Sequence, residues 1–141
     1  MNPSQIKCGN FTLTFFKRLK DYDNENNNSL VFQVSLFNET YLFTGDIELE
    51  RELELIEHYN VTSDYLKPGH HGSSTSSSED FIHHVNPKEV YVTSYYKNTH
   101  NHPSPEVIER FIKRDVKVYR IDQDGTIIIR YFFRFRYKKT T

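Results

Sequence analysis

Short runs of β-favouring residues alternate with helical patterns along most of the chain, and this alternation limits the possible folds more than any other feature. The runs that predict strands lie at residues 11–16, 30–37, 40–44, 65–67, 89–93, 116–121 and 126–137. Helices are predicted at residues 47–58, from residue 77 or 78 to just before residue 87, and at residues 104–115. Hairpins and helical crossovers both occur in this order, so we expect a layered α/β fold with a mixed sheet.

The apolar spacing within two of these helices predicts which face packs against the sheet. In the first helix, Leu49, Leu53 and Ile56 share one face. In the last helix, the predicted packed face consists of Val107, Ile108, Phe111 and Ile112.

The length, charge and cysteine content restrict the class of protein. A chain of 141 residues fits one domain, which we expect to span residues 1–141. Its formal net charge of -1 gives no overall attraction to nucleic acid or membrane, and the lone Cys8 cannot form an internal disulfide. No segment approaches the roughly twenty consecutive apolar residues that cross a bilayer. We therefore expect the chain as given to be soluble, without inserting into a membrane.

Residues that can bind a metal ion or a phosphate follow three of the predicted strands. Loops after neighbouring strands tend to meet at one edge of a sheet, so these side chains are predicted to converge. A mixed set of nitrogen and oxygen ligands suits zinc or manganese. The residues concerned are Asp46, His70, His71, Asn98, His100 and His102.

Each of these features also has a purely structural interpretation. Asp46 precedes a predicted helix, and its spacing alone favours a carboxylate that caps the backbone donors of that helix. His70 and His71 lie between two glycines and could be ordinary turn residues instead of ligands. The serine-rich stretch 73–78 lacks an acidic partner for a catalytic triad, so a linker or phosphate-contact role is favoured over a nucleophile. The remaining histidines, His58, His83 and His84, fall in predicted helices and are expected to be solvated or packed.

Three short segments follow one another along the chain: Leu-Phe-Thr-Gly-Asp at 42–46, Leu-Lys-Pro-Gly-His-His-Gly-Ser at 66–73 and Asn-Thr-His-Asn-His-Pro at 98–103. These segments and their order resemble the ComEC family of DNA-uptake proteins. Similar runs at 26–31 and 124–127 extend the resemblance over most of residues 24–130. The resemblance implies the C-terminal half of a metallo-β-lactamase-like αββα sandwich. It also implies a phosphodiesterase that degrades the single strand of DNA that does not enter the cell.

The resemblance also implies roles for individual residues. Asp46 matches a metal-bridging carboxylate, and either His70 or His71 matches a later metal ligand. His102 would contact substrate or transfer a proton as a catalytic residue, and Ser73 and Asn98 would contact phosphate. The implied cofactor is a divalent metal, manganese or zinc, and the implied substrate is single-stranded DNA.

One part of the family pattern is absent from the sequence. The cluster His-x-Asp/His-x-Asp-His, which supplies most ligands for two metals, occurs nowhere in the chain. One aspartate and one or two histidines are too few to fix a two-metal site. We prefer the explanation that the chain is a fragment of a membrane-bound competence protein whose hydrolase domain lies on the outer side. The alternatives are a partner of a separately encoded first half, and an inactive module that kept the fold.

The last segment, residues 126–137, suggests a non-enzymatic alternative, which is nucleic-acid binding. As one long strand it would place Arg130, Arg134, Arg136 and the following Lys138 on one face, where they could contact nucleic-acid phosphates. The opposite face would be apolar. Charged residues on an edge strand also prevent aggregation, and this protective role is the favoured explanation of the pattern.

Overall fold

The computed structural model describes residues 2–132 and 134–141, and its main element is a seven-stranded sheet. The strands, in spatial order, are β1 (Ser4–Cys8), β2 (Phe11–Phe16), β3 (Val31–Leu36), β4 (Glu39–Phe43), β5 (Tyr65–Lys67), β6 (Glu89–Val92) and β7 (Lys117–Arg120). Neighbours are antiparallel from β1 to β4 and parallel from β4 to β7. The predicted layered α/β fold with a mixed sheet is confirmed.

Three helices provide the crossovers that the parallel strands require. They are α1 (Leu49–His58), α2 (Glu79–Val85) and α3 (Pro105–Ile112). The Ser78 side chain accepts a hydrogen bond from the backbone N–H of Phe81 at 3.2 Å, so α2 begins where its capping serine predicted. None of the helices in the described part of the chain is long and apolar enough to cross a membrane.

The core lies between these helices and one face of the sheet. Burying a single large apolar side chain contributes roughly 1.5–3 kcal/mol. The strands contribute Phe16, Val31, Leu42, Leu66, Val90 and Val92, and the helices contribute Leu55, Phe81, Ile82, Val85, Val107 and Phe111. Of the packed face predicted for α3, Val107 and Phe111 are buried and Ile108 is partly buried, whereas Ile112 is exposed.

The packed face predicted for α1 is wrong in part. Leu49 and Leu53 are exposed, whereas Leu55 is buried together with the charged Arg51 and Glu52. Backbone groups of distant segments make this burial possible. The Arg51 guanidinium donates to the Phe16 carbonyl at 2.9 Å, and the Glu52 carboxylate accepts hydrogen bonds from two N–H groups of the serine-rich loop.

The predicted long strand at residues 126–137 is also wrong, because the chain turns back on itself there. β8 (Ile127–Phe132) and β9 (Phe135–Thr140) form a separate antiparallel hairpin, preceded by the short helix α4 (Ile121–Asp124). Phe133, which the predicted long strand would place on its apolar face, lies outside the described residues. The sequence offers no glycine, proline, asparagine or aspartate at this turn, so the usual signal of a hairpin is missing.

The hairpin reverses the predicted orientation of the basic residues in β9. Arg136 and Lys138 point inward, to the Glu89 carboxylate at 3.0 and 2.8 Å, while Phe135 and Tyr137 are exposed. Glu89 lies on the sheet face opposite the core, because its neighbour Val90 is a core residue. The hairpin therefore covers part of the second face of the sheet, and the predicted continuous basic face does not exist.

Candidate active site

The loops after β4, β5 and β6 meet at one edge of the sheet. These strands are parallel, so their carboxyl ends lie side by side. As predicted, the loops bring Asp46, His70, His71 and His102 together. His71 Nε2 lies 3.6 Å from Asp46 Oδ1, and the rings of His70 and His102 are 5.2 Å apart at their centroids.

The imidazole of His71 is held in one orientation by the end of β6. Its Nδ1 lies 2.8 Å from the Thr93 carbonyl oxygen, which can only accept a hydrogen bond. Nδ1 therefore carries the proton in the neutral ring, and Nε2 presents its lone pair toward Asp46. Metal-binding histidines commonly have this arrangement, with one ring nitrogen donating to a carbonyl and the other free to coordinate.

His70 has a different set of neighbours. Its Nδ1 lies 3.1 Å from Glu48 Oε1 and 3.4 Å from the side-chain amide of Asn26. Burial alone would raise the pKa of the Glu48 carboxyl, but the hydrogen bonds from Asn26 and His70 outweigh it and lower that pKa. Glu48 is thus ionised at neutral pH and orients the His70 ring beside His102.

The turn Gly69–Gly72 places the two histidines by means of an unusual backbone. His70 and His71 both have left-handed conformations, with φ of 44° and 54°. Such conformations cost about 1–3 kcal/mol each for residues other than glycine, so the surrounding structure must enforce them. A Cβ atom on Gly69 would lie 2.4 Å from the Ile47 carbonyl oxygen, and one on Gly72 would lie 2.8 Å from Pro103 Cβ. Only glycine fits at either end of the turn.

Asn98 organises the loop that carries His102. Its side-chain amide donates to the carbonyl oxygens of Tyr95 at 2.8 Å and His102 at 2.5 Å, and its Oδ1 accepts from the His102 N–H at 2.8 Å. Both donors and the oxygen of the side chain are therefore engaged within the loop. The predicted contact of Asn98 with phosphate stays a prediction, while its positioning of His102 is evident.

The His102 ring is surrounded by other imidazoles. Burial lowers the pKa of His102, and the nearby His70, His100 and His71 lower it further. The ring is therefore neutral at neutral pH and able to accept a proton. The predicted catalytic role of His102 itself stays a prediction.

Asp46 does not occupy the position that its spacing suggested. Glu48, not Asp46, directly precedes α1, and the carboxylate of Asp46 lies near His71 and 3.9 Å from Lys67 Nζ. The backbone N–H of Asp46 donates to Ser29 Oγ at 3.2 Å. Burial lowers the pKa of Lys67, although Asp46 opposes the shift. Asp46 therefore does not cap α1, and its role as a metal ligand stays a prediction.

Ser73 is less accessible than a residue that contacts substrate is expected to be. Its side chain is only 5% exposed, and its Oγ lies 3.0 Å from Thr75 Oγ1. Its predicted contact with phosphate stays a prediction.

A cleft of about 200 Å³ adjoins the histidines. It is lined by His71, Thr93, Ser94, Tyr95, Asn98, His100 and His102. Ser94 is buried, and its Oγ has no hydrogen-bond partner within the described part of the chain. The surface of the cleft is largely apolar, and the imidazoles of His71, His100 and His102 contribute to it next to the Asp46–His71 pair.

Three residues of this site were not predicted from the sequence. Glu48 and Asn26 orient His70, and Thr93 fixes His71. Asn26 begins the run 26–31 that resembles the family, which is a sequence signal for it. The roles of Glu48 and Thr93 are revealed only by spatial proximity.

The metal-binding potential of the described residues is limited to a pair of ligands. No group of three or more histidine, cysteine, aspartate or glutamate side chains in residues 2–132 and 134–141 is arranged to hold a metal ion. Asp46 and His71 match the oxygen and nitrogen ligands that zinc and manganese accept. A catalytic zinc site has three protein ligands, so this pair fits a part of such a site.

Comparison with known proteins identifies competence-related homologues. No protein-family model matches the chain. It is 37% identical over 112 residues to ComE operon protein 3 of Bacillus subtilis, covering 79% of this chain and 14% of that protein. It is 35% identical over 105 residues to competence protein ComA of Neisseria gonorrhoeae (73% and 15%), and 30% identical over 108 residues to recombination protein 2 of Haemophilus influenzae (77% and 14%). The chain spans about one seventh of the length of these relatives.

Proposed function

We propose that this chain, whose homologues are competence-related proteins, supplies part of the active site of a metal-dependent phosphodiesterase that cleaves single-stranded DNA during DNA uptake. The approach of His71 Nε2 to the Asp46 carboxylate, at 3.6 Å, carries this proposal. Because Nδ1 of the same ring is bound to the Thr93 carbonyl, Nε2 is the nitrogen left for a metal.

Of the two adjacent histidines, His71 is the one we assign as the metal ligand. Its free nitrogen and the Asp46 oxygen face each other, so a manganese or zinc ion between them would replace the present contact. His70 lies against Glu48 and the His102 ring, which suits a residue that lines the site and supports His102. The sequence left the choice between His70 and His71 open, and the contacts of the two rings support His71.

The proposed reaction is hydrolysis of a phosphodiester bond. A bound divalent metal would lower the pKa of its water to near 7 and offset the charge of the phosphate. The neutral His102 ring is suited to accept a proton from the attacking water or to return one to the leaving oxygen. Lys67, whose Nζ donates to the Gly45 carbonyl at 2.8 Å, fixes the loop that carries Asp46.

The described residues offer no group of three or more metal ligands, and we propose that residues outside the given sequence supply the others. The second face of the sheet suggests where they attach. Phe32 and Phe43 stack there with ring centroids 4.9 Å apart, Phe15 lies 6.3 Å from Phe32, and all three are only half-buried. A further β-layer packed on these rings would complete a metallo-β-lactamase-like sandwich. We propose that this layer belongs either to a longer membrane-bound competence protein or to a separate polypeptide.

Nucleic-acid binding through the C-terminal strands, without catalysis, is a weaker candidate. Arg136 and Lys138 are engaged with Glu89, so they are not available to phosphates without breaking those contacts. The Glu89 carboxyl is surrounded by these cations: burial would raise its pKa, but the hydrogen bonds from Lys138, Tyr91 and Arg136 lower it. The pairing is therefore present at neutral pH.

Calorimetric titration with Mn²⁺ and Zn²⁺ tests the proposed ligand pair. We expect the chain to bind one ion, and we expect Asp46→Asn and His71→Gln each to weaken binding at least tenfold. His84→Gln is the matched control, because His84 also directs Nδ1 to a backbone carbonyl, that of Asp80 at 2.8 Å, but belongs to an exposed helix surface. Equal binding by all three variants, or none by the chain itself, would contradict the proposal.

Cleavage is tested after the missing layer is supplied. The chain is joined to the segment that precedes the aligned region in ComE operon protein 3, and single-stranded oligonucleotides are offered with Mn²⁺. Cleavage that depends on Asp46 and His71 supports the proposal. A well-folded chimera that binds metal and does not cleave would instead favour the inactive-module account.

A further inference from the structure

Two consecutive tyrosines, the first of which lines the cleft, stand out because they are exposed. Tyr95 is 80% exposed and Tyr96 is 60% exposed, although large aromatic side chains usually bury most of their surface. Tyr95 also lines the cleft that contains His71 and His102. These rings stabilise little of the fold, so their position next to the site calls for a functional explanation.

The turn that carries these tyrosines is held in a fixed shape. The backbone N–H of Asn98 donates to the Tyr95 carbonyl at 3.3 Å, and the Asn98 side chain donates to the same carbonyl at 2.8 Å. The Lys97 ammonium lies 5.3 Å from the centre of the Tyr96 ring. A pre-shaped turn thus carries two exposed aromatic rings and one cation, and Tyr95 lines the cleft together with His71 and His102.

The size of the cleft determines which part of a substrate it can enclose. Its volume of about 200 Å³ is below the roughly 300–1,000 Å³ of pockets that enclose whole small molecules. A phosphodiester group would fit next to His71 and His102, but the attached base would have to lie outside, against Tyr95.

We infer that Tyr95, Tyr96 and Lys97 form a stacking platform for the unpaired bases of a single-stranded nucleic acid whose phosphodiester group enters the cleft. This inference rests on the proposed function and names the residues that would select its substrate. Unpaired bases stack on exposed aromatic rings whatever their sequence, whereas the bases of a duplex are already stacked on one another. The platform therefore favours single strands over duplexes and shows little sequence preference. Lys97 adds a phosphate contact that weakens with salt.

Fluorescence anisotropy with three 12-nucleotide probes, in EDTA to prevent cleavage, tests this inference. The probes are oligo-dT, a base-free sugar-phosphate strand of equal charge, and a duplex. We expect the chain to bind oligo-dT most tightly. Tyr95→Ala and Tyr96→Ala should each weaken oligo-dT binding by roughly 5- to 150-fold, equivalent to about 1–3 kcal/mol, with little effect on the base-free strand. Phenylalanine at either position should restore binding, because the ring is what stacks.

Tyr137→Ala is the matched control, because Tyr137 is also 60% exposed but belongs to β9. No detectable oligo-dT binding, equal affinity for the base-free strand, or alanine variants that bind oligo-dT like the wild-type chain would overturn the inference. If the alanine variants bind oligo-dT like the wild-type chain, and the wild-type chain binds oligo-dT more tightly than the base-free strand, the bases are bound elsewhere. The two tyrosines would then be a candidate surface for a protein partner. Zinc binding measured on the same variants separates the two claims. If zinc binding at Asp46 and His71 persists, only the platform fails; if zinc binding is absent, the proposed metal site fails.

Discussion

Substitution of the buried Glu52 tests how the serine-rich loop is held against α1. The Glu52 carboxylate is fully buried and accepts hydrogen bonds from the backbone N–H groups of Ser77 at 2.5 Å and Ser78 at 3.0 Å. Glu52→Gln keeps the shape but leaves one of these N–H groups facing an amide donor. Leaving one buried donor without a partner costs about 1–3 kcal/mol, and Glu52→Ala, which strands both, should cost about 2–6 kcal/mol.

Urea denaturation followed by circular dichroism measures these losses. Glu57→Gln, on the exposed side of the same helix, is the matched control and should change stability by less than about 0.5 kcal/mol. If Glu52→Gln is as stable as the control, the carboxylate does not hold the loop and the reasoning fails.

The pH dependence of the same variant has a defined sign. Burial raises the pKa of the Glu52 carboxyl, although the hydrogen bonds from the Ser78 and Ser77 N–H groups oppose the shift. Because the pKa of this carboxyl is higher in the folded than in the unfolded chain, the folded chain binds more protons than the unfolded chain at pH values between the two pKa values. Stability from this group is then lost as pH rises from the ordinary glutamate range through the raised pKa. We expect Glu52→Gln to lack this loss. The difference in free energy of unfolding between wild type and Glu52→Gln should therefore become smaller as pH rises. A difference that grows with pH would contradict the raised pKa of Glu52.

Three further substitutions test other contacts. Asn98→Ala removes the hydrogen bonds that tie the loop to His102, and we expect broadened His102 ring signals in NMR spectra and a loss of about 1–2 kcal/mol in thermal unfolding. Arg136→Gln breaks the pairing with Glu89, and faster amide hydrogen exchange should appear in the hairpin β8–β9 but not in the central sheet. Gly72→Ala places a Cβ against Pro103 at a φ of 81°, and urea denaturation should show a loss above about 1 kcal/mol. Unchanged His102 ring signals in Asn98→Ala, unchanged amide hydrogen exchange of the hairpin in Arg136→Gln, or an unchanged urea midpoint in Gly72→Ala would each refute the corresponding contact.

Much of the fold could be predicted because its signals are local. The strands at β2 and β5 have the predicted bounds, and the capping serine before α2 marks the start of that helix. The convergence of Asp46 and the histidines also followed from local order, since each lies in the loop that follows a strand, and these strands are parallel to one another.

The errors arise where distant parts of the chain decide the structure. Arg51 is buried with two partners, the nearby Glu54 carboxylate and the distant Phe16 carbonyl, and nothing near Arg51 in the sequence indicates the second contact. The hairpin at β8 and β9 was missed because alternation of apolar and basic residues continues across its turn.

The choice between His70 and His71 likewise depends on long-range contacts. Glu48 and Thr93 bind the two rings differently, and the sequence spacing cannot reveal which ring nitrogen is left free. Spacing alone also favoured helix capping for Asp46, because the helix was predicted to begin at residue 47. In the structure α1 begins at Leu49, so that Glu48 precedes it.

The most direct test of the proposed metal site is an NMR titration of the chain, labelled with ¹⁵N-histidine, with Zn²⁺. The account predicts that the Nε2 signal of His71 shifts first, that its Nδ1 stays protonated toward Thr93, and that Asp46→Asn removes the shift. A shift of Nε2 in His84 of equal size, or a His71 signal that does not respond to zinc, would contradict it.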